Sequence, residues 1–160
     1  MKLKIKKLHP DAITPTYATA GSACFDLSAV NIHGVPLNDT EVLAKHGHDN
    51  GSHTIKTSYV FDTGLSFEIP AGQVMLIFSR SGHGFRSDVR LANCVGVIDS
   101  DYRGEVRVKL TADSVGAFKV TNGDRIAQAM VIPVEQVEFE EVDELGATER
   151  GTGGFGSSGK

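Results

Sequence analysis

Apolar and polar residues alternate along several short stretches of the chain. Leu3 and Ile5 alternate with lysines near the amino terminus, and residues 106–111 alternate valine and leucine with arginine, lysine and threonine. A period of two is typical of a β-strand that buries one face. No window of a dozen residues has a helical period, although one short helix fits after Ser81. The pattern therefore predicts an all-β protein with at most one short helix.

Further strands are predicted where apolar, β-branched runs lie between turn residues. These runs are Thr54 to Phe61, Gly64 to Ile69, Gln73 to Phe78, Ala127 to Val134 and Val137 to Val142. The spacing of the turns is typical of a β-sandwich or barrel. The segment from about Asn31 to Ser52 has no strand pattern. We interpret it as a solvated, histidine-containing loop insertion, because no cysteine or carboxylate cluster completes an ordinary metal site. A contact site for another protein is the alternative interpretation.

Composition narrows the class of protein. The length of 160 residues fits one domain with a sizeable core. The net charge of −4, with scattered lysines and arginines, argues against a nucleic-acid partner. Apolar runs are far shorter than the ~18 residues of a membrane span, and charges interrupt the region of a signal peptide. Cys24 and Cys94 are typical of reduced, buried thiols, so we expect a cytoplasmic protein without a membrane partner.

The last eleven residues form a glycine-rich tail. Five of them are glycines, which leave few side chains for burial and make ordering costly. Bare amides, hydroxyls and the Arg150 guanidinium are suited to a polyphosphate, and the Phe155 ring is suited to stacking on a base. We therefore predict a β domain over residues 1–148 and a lid over residues 149–160 that closes on a nucleotide.

A second group of candidate residues lies in one hairpin. Asp99 and Asp101 are two residues apart in a turn between apolar segments. Turn aspartates commonly hydrogen-bond to their own backbone, and this interpretation stays open beside a catalytic one. Asn93, Tyr102 and Arg103 in the same hairpin favour the catalytic interpretation.

Two other turns carry weaker signals. The segment 79–82, Ser-Arg-Ser-Gly, follows an apolar strand and has the groups that bind a phosphate oxygen. The segment 123–128 is a turn followed by a strand that contains Gln128. Its structural interpretation is a hairpin turn with a surface ion pair between Asp124 and Arg125.

Taken in order, these segments resemble the five motifs of the homotrimeric deoxyuridine triphosphatases. The five segments are Ala20 to Leu27, Arg80 to Gly82, Gly96 to Glu105, Gly123 to Gln128 and Arg150 to Gly159. Their order and spacing match over nearly the whole chain. Cys24 stands where the family often has glycine, and Phe25 where tyrosine or leucine is common. The resemblance implies a distorted jelly-roll or β-clip barrel that trimerises, with three active sites shared between subunits.

The resemblance also implies an activity, the hydrolysis of dUTP to dUMP and pyrophosphate with Mg²⁺. By that likeness Asp99 is the general base that activates water, and Asp26 holds waters bound to the metal. Asn93 and the backbone at Val97 and Ile98 read the uracil edge. Tyr102 packs on the deoxyribose and excludes a ribose hydroxyl, and Phe155 stacks on uracil. The remaining substrate-binding residues, mostly at the phosphates, are Arg80, Ser81, Gly82, Arg107, Gln128, Arg150, Gly156, Ser157 and Ser158.

Two rival functions stay open at this stage. A dCTP deaminase of the same fold, or a bifunctional relative, uses a glutamate base and lacks the glycine-rich tail in this form, so the tail argues against it. A regulatory binding protein that uses a nucleotide as its switch, with the 31–52 loop as its interface, is compatible with either enzyme.

Overall fold

The structure is a computed structural model that describes residues 1–32, 35–36, 58–113 and 119–157. Its described elements are short strands and one short helix. They are β1 (Lys4–Lys7), β2 (Phe25–Ser28), β3 (Asn31–Ile32), β4 (Val35–Pro36), β5 (Ser58–Asp62), β6 (Leu65–Glu68), β7 (Gln73–Phe78), α1 (Ser81–Ser87), β8 (Val89–Leu91), β9 (Val95–Ile98), β10 (Arg107–Ala112) and β11 (Arg125–Pro133). The predicted all-β class is confirmed, and the helix starts at the predicted serine.

The strands form three antiparallel sheets. The first pairs β1 with β6, the second has the order β4-β3-β5-β10-β8, and the third has the order β2-β11-β7-β9. The period of two determines which side chains enter the core. In β10, Val108 and Leu110 are buried while Arg107 and Lys109 are exposed. The largest fully buried side chain is Phe61 of β5.

The third sheet aligns residues that are distant in sequence. Asp26 of β2 is opposite Gln128 of β11, Gln128 is opposite Phe78 of β7, and Phe78 is opposite Val95 of β9. Neighbouring strands lie about 4.8 Å apart, so the row spans roughly 14 Å. Motif residues on β2, on β11 and at the end of β7 are consequently neighbours in the sheet. The motif residues of β9 lie on the edge strand farthest from β2.

Several predicted boundaries need correction. The run from Val137 to Val142 is not a strand, because Val137 and Phe139 are exposed and no described strand pairs with this segment. The supposedly strandless segment after Asn31 begins with β3 and β4, two-residue strands too short to produce a pattern. Residues 54–57 and the rest of the predicted loop lie outside the described residues.

None of the helices in the described part of the chain has the length and apolar character needed to cross a bilayer.

Candidate functional site

The first part of the candidate site is a cavity of about 410 Å³ beside the third sheet, here named the arginine cavity. Its charged centre is the Asp26 carboxylate, whose side chain is only 14% exposed. Arg80 Nε donates to Oδ1 at 2.8 Å, and Arg125 Nη1 donates to Oδ2 at 3.1 Å. Two guanidinium groups around one carboxylate leave an excess of positive charge, which suits an anionic ligand.

Local backbone structure positions the arginine cavity. The Gln128 amide donates through Nε2 to the carbonyl of Ser79 at 2.9 Å and so fastens β11 to the end of β7. Arg80 precedes α1, and its carbonyl accepts the amides of His83 and Gly84, both at 3.1 Å. Ser81 and Gly82 therefore lie in the exposed first turn, at the wall of the cavity, and their predicted contact with substrate stays a prediction.

Arg125 is a cavity residue that sequence reasoning missed. The predicted ion pair with Asp124 is wrong, because Asp124 Oδ2 accepts from the amide and hydroxyl of Thr121 at 2.7 and 2.9 Å. Neighbouring side chains at the start of a strand point to opposite faces, so Arg125 turns instead to Asp26. That alternation was the available signal.

Cys24 adds a thiol to the wall of the same cavity. Partial burial, and secondarily the negative charge of Asp26, raise the pKa of this thiol. Less of Cys24 is therefore thiolate near neutral pH than of an ordinary cysteine. Cys94, in contrast, is exposed in the β8–β9 turn and lies outside the arginine cavity, so the prediction that it is buried is wrong.

This difference predicts the order in which the thiols react. We expect iodoacetamide at pH 8 to alkylate Cys94 faster than Cys24. Because its pKa is raised, the rate at Cys24 should increase when the pH is raised above 8. Saturating pyrophosphate should slow the reaction at Cys24 alone. Mass spectrometry of the two cysteine peptides measures both rates, and a Cys24→Ser variant assigns them. Equal rates, or pyrophosphate protection of Cys94 instead, would contradict the placement of Cys24.

A second cavity of about 450 Å³, the hairpin cavity, lies beside β9 and β10. Asn93, Val97 and Ile98, which are predicted to read the base, line it together with Arg107. Asn93 is exposed in the β8–β9 turn, and its carbonyl accepts the amide of Val95 at 2.7 Å. The two cavities share no lining residue. Within one chain, the residues predicted to read the nucleobase and the residues around Arg80 therefore lie in two separate cavities.

Arg107 is held by two acidic side chains. Its Nε lies 3.0 Å from Asp62 Oδ1 and 3.3 Å from Glu105 Oε2. The Asp62 side chain is buried and that of Arg107 is half exposed. The Arg107 side chain therefore pairs with a buried carboxylate and also lines the hairpin cavity. This ion pair orients Arg107, and its predicted contact with substrate stays a prediction.

Asp99 and Tyr102 lie in the loop between β9 and β10. Both residues are exposed, and the Tyr102 amide donates to the Asp99 carbonyl at 3.2 Å. Within the described residues, no hydrogen bond is made by the carboxylate of Asp99 or of Asp101. The aspartates therefore do not cap their own turn, and the Asp99 carboxylate is accessible to water.

The described part of the carboxyl-terminal segment, residues 134–157, lines neither cavity. Residues 134–152 are all exposed, and Phe155 is fully exposed with a positive φ of 51°. Arg150 Nε donates to the carbonyl of Gly153 at 2.8 Å, inside a local turn. Gly156 and Ser157 follow in the same exposed turn, and Ser158 lies outside the described residues. Among the described residues, Arg150, Phe155, Gly156 and Ser157 are thus not brought to the other predicted site residues of the same chain.

Comparison with known proteins supplies the context for these two cavities. The protein-family model described as dUTPase matches residues 51–159. The deoxyuridine 5'-triphosphate nucleotidohydrolase of Nautilia profundicola is 44% identical over 160 residues, covering 100% of both chains. That of Helicobacter hepaticus is 44% identical over 159 residues, covering 99% of this chain and 89% of the relative.

Solved structures agree in fold. A Staphylococcus bacteriophage 80alpha dUTPase mutant with dUpNHpp has a TM-score of 0.82 at 23% identity, covering 99% of each chain. A phage phi11 dUTPase mutant, described with the coordination of a structural Mg(II) ion, has a TM-score of 0.74 at 18% identity, covering 92% of this chain and 100% of that one. These likenesses confirm the predicted fold class, the jelly-roll type.

Proposed function

The chain belongs to the dUTPase family, and we propose that it hydrolyses dUTP to dUMP and pyrophosphate. The observation that carries this proposal is the 44% identity, over the entire length of both chains, with a relative named for that activity. The two cavities support it chemically, because one is suited to phosphates and the other to a base. The dCTP deaminase alternative is disfavoured by the same match.

We propose further that three copies of the chain share each active site. The two cavities are separate within one chain, and the described part of the tail lines neither. The alternating segment with Val137 and Phe139 has the pattern of a strand, yet both side chains are exposed. A segment with a strand pattern and no partner among the described residues of its own chain is suited to pairing with another copy. Closure of residues 149–160 over a neighbouring copy's site would then supply Arg150 and Phe155.

The hairpin cavity provides the proposed base recognition. The Asn93 amide has both a donor and an acceptor, and the backbone at Val97 and Ile98 offers more of each. Cytosine presents the opposite donor and acceptor to such a surface, which leaves buried groups unpaired and costs about 1–3 kcal/mol for each. Thymine differs from uracil by one methyl group, which a narrow hairpin excludes. Selection for uracil then follows.

The arginine cavity provides the proposed phosphate recognition. The Arg80 guanidinium carries five N–H donors, and only part of them are used by Asp26 and by the Arg125 carbonyl, which accepts from Nη1 at 3.2 Å. Gln128 and Ser81 add neutral polar groups at the wall. Phosphoryl transfer depends mainly on positioning and charge stabilisation, which these groups are suited to provide.

Magnesium fits this donor set. The described residues contain no cluster of three or more histidines, cysteines or carboxylates that would cage a metal. Mg²⁺ is usually held by one or two carboxylates together with waters and substrate phosphates. Asp26 is the carboxylate in the arginine cavity, and each of its oxygens keeps a free lone pair. When bound, the ion would neutralise phosphate charge, and Asp26 would orient its waters.

Asp99 is the proposed general base. Its carboxylate would accept a proton from a water molecule while the water oxygen forms a bond to the α-phosphorus. The bond from that phosphorus to the bridging oxygen breaks, and pyrophosphate leaves with the electron pair. The accessible, unbonded carboxylate in the β9–β10 loop supports this role, because a base must reach its water.

A comparison of four nucleotides tests the proposed function. We expect pyrophosphate release from dUTP, with dTTP, dCTP and UTP hydrolysed at least about tenfold less efficiently. The measurement is kcat/KM by coupled pyrophosphate detection, with ammonia assayed in the dCTP reaction. Equal turnover of all four nucleotides, or ammonia from dCTP, would refute the proposal.

A further inference from the structure

The Tyr102 ring lies against the backbone of Gly104. A Cβ atom added at residue 104 would overlap Tyr102 Oη and lie 2.5 Å from Cζ and 2.9 Å from Cε2. Real Cβ atoms essentially never approach other atoms that closely, so the ring occupies the space of the absent side chain. Gly104 does not have a positive φ, and its backbone conformation is open to alanine. The space under the ring is therefore what residue 104 supplies.

Hydrogen bonds hold both the ring hydroxyl and the backbone carbonyl of Tyr102. The Tyr102 hydroxyl donates to the carbonyl of Glu105 at 3.0 Å, and Arg103 Nη1 donates to the carbonyl of Tyr102 at 3.0 Å. Glu105 is itself anchored, because its Oε1 accepts the amide of Gly64 at 2.8 Å in the β5–β6 turn. The Tyr102 hydroxyl is thus linked through Glu105 to the turn between β5 and β6.

We propose that Gly104 is a specificity-determining residue, which sets discrimination between deoxyribose and ribose by holding the Tyr102 ring in place. This inference rests on the proposed function, in which the ring packs on the sugar. The Tyr102 ring can exclude a ribose hydroxyl by steric contact only if the surface behind the ring does not move. The bare Gly104 Cα and the Glu105 carbonyl provide that surface.

Replacing Gly104 by alanine is the direct test. The added Cβ forces the ring away from residue 104 and separates its hydroxyl from the Glu105 carbonyl. We expect the ratio of kcat/KM for dUTP to that for UTP to fall about tenfold or more. The matched control is Gly84→Ala, since a Cβ there meets nothing within 4 Å. That control should leave the ratio unchanged, and an unchanged ratio in Gly104→Ala would overturn the inference.

A double-mutant cycle separates ring displacement from general damage. In a Tyr102→Ala background no ring remains to be displaced, so adding Gly104→Ala should change the ratio no further. Tyr102→Phe keeps the ring over Gly104 and removes only the hydroxyl bond, so it should retain more discrimination than Gly104→Ala. An equal loss from Gly104→Ala with and without the ring would overturn the inference.

Fluorotyrosine NMR gives a readout independent of activity. The chain contains three tyrosines, so three ¹⁹F resonances are expected. Gly104→Ala should shift the Tyr102 resonance and leave those of Tyr17 and Tyr59 in place. If wild-type protein does not hydrolyse dUTP, the proposed function fails while this measurement still tests the ring. An unmoved Tyr102 resonance would refute the ring displacement itself.

Discussion

Replacing Asp99 by asparagine is expected to abolish most pyrophosphate release from dUTP, with a fall in kcat of about 10²- to 10⁴-fold, the usual contribution of a general base. Asparagine has the same shape but accepts no proton near neutral pH. Because the Asp99 side chain makes no hydrogen bond to any described residue, the change should leave the fold intact. Single-turnover kinetics with dUTP measure the effect on the chemical step.

Asp101→Asn is the matched control for this prediction. Asp101 lies two residues away in the same exposed turn and also makes no side-chain hydrogen bond within the described residues. We expect it to retain nearly full turnover and an unchanged thermal midpoint. Nucleotide affinity should be largely kept in Asp99→Asn, since the arginine cavity is untouched. If both variants lose activity equally, the turn as a whole matters and Asp99 is not the base.

The extent to which the fold was predictable depends on where each strand finds its partner. The β7 strand was predicted residue for residue because an apolar run lies between turn residues, and β10 within one position because its apolar and polar residues alternate with a period of two. The three residues of β8 are too few to show a period. The run at Val137 has the period but no partner among the described strands, because a period of two does not specify a neighbouring strand.

The motifs named candidate residues, but the geometry that brings some of them together was not predictable. Motif order identified Asp26, Arg80 and Gln128, yet only the antiparallel pairing of β2 with β11 shows that they meet. Arg125 was assigned to a turn because its partner is nearly a hundred residues away in sequence. The proposed role of Gly104 depends on the orientation of the Tyr102 ring, which lies against it. Such contacts are set by tertiary packing, which local sequence does not encode.

Removal of the tail is expected to have the second large effect. A chain ending at Thr148 loses Arg150 and Phe155 and leaves both cavities intact. We expect kcat to fall by about 10²- to 10³-fold, the usual loss when a preorganised charge donor is removed from a transition state. Nucleotide affinity should be partly kept. Calorimetric binding of a nonhydrolysable dUTP analogue and pyrophosphate release measure the two effects, and unchanged turnover would rule out the lid.

Combining the two inactive variants tests whether the tail closes on another copy. In a co-expressed mixture of Asp99→Asn chains and chains ending at Thr148, a site shared between copies draws its base from one chain and its tail from another. With random assembly about a quarter of the sites then receive an intact Asp99 and an intact tail. Recovery of activity toward that fraction is expected. A site formed within one chain would contain one defect in every copy and stay inactive, so no recovery would refute closure in trans.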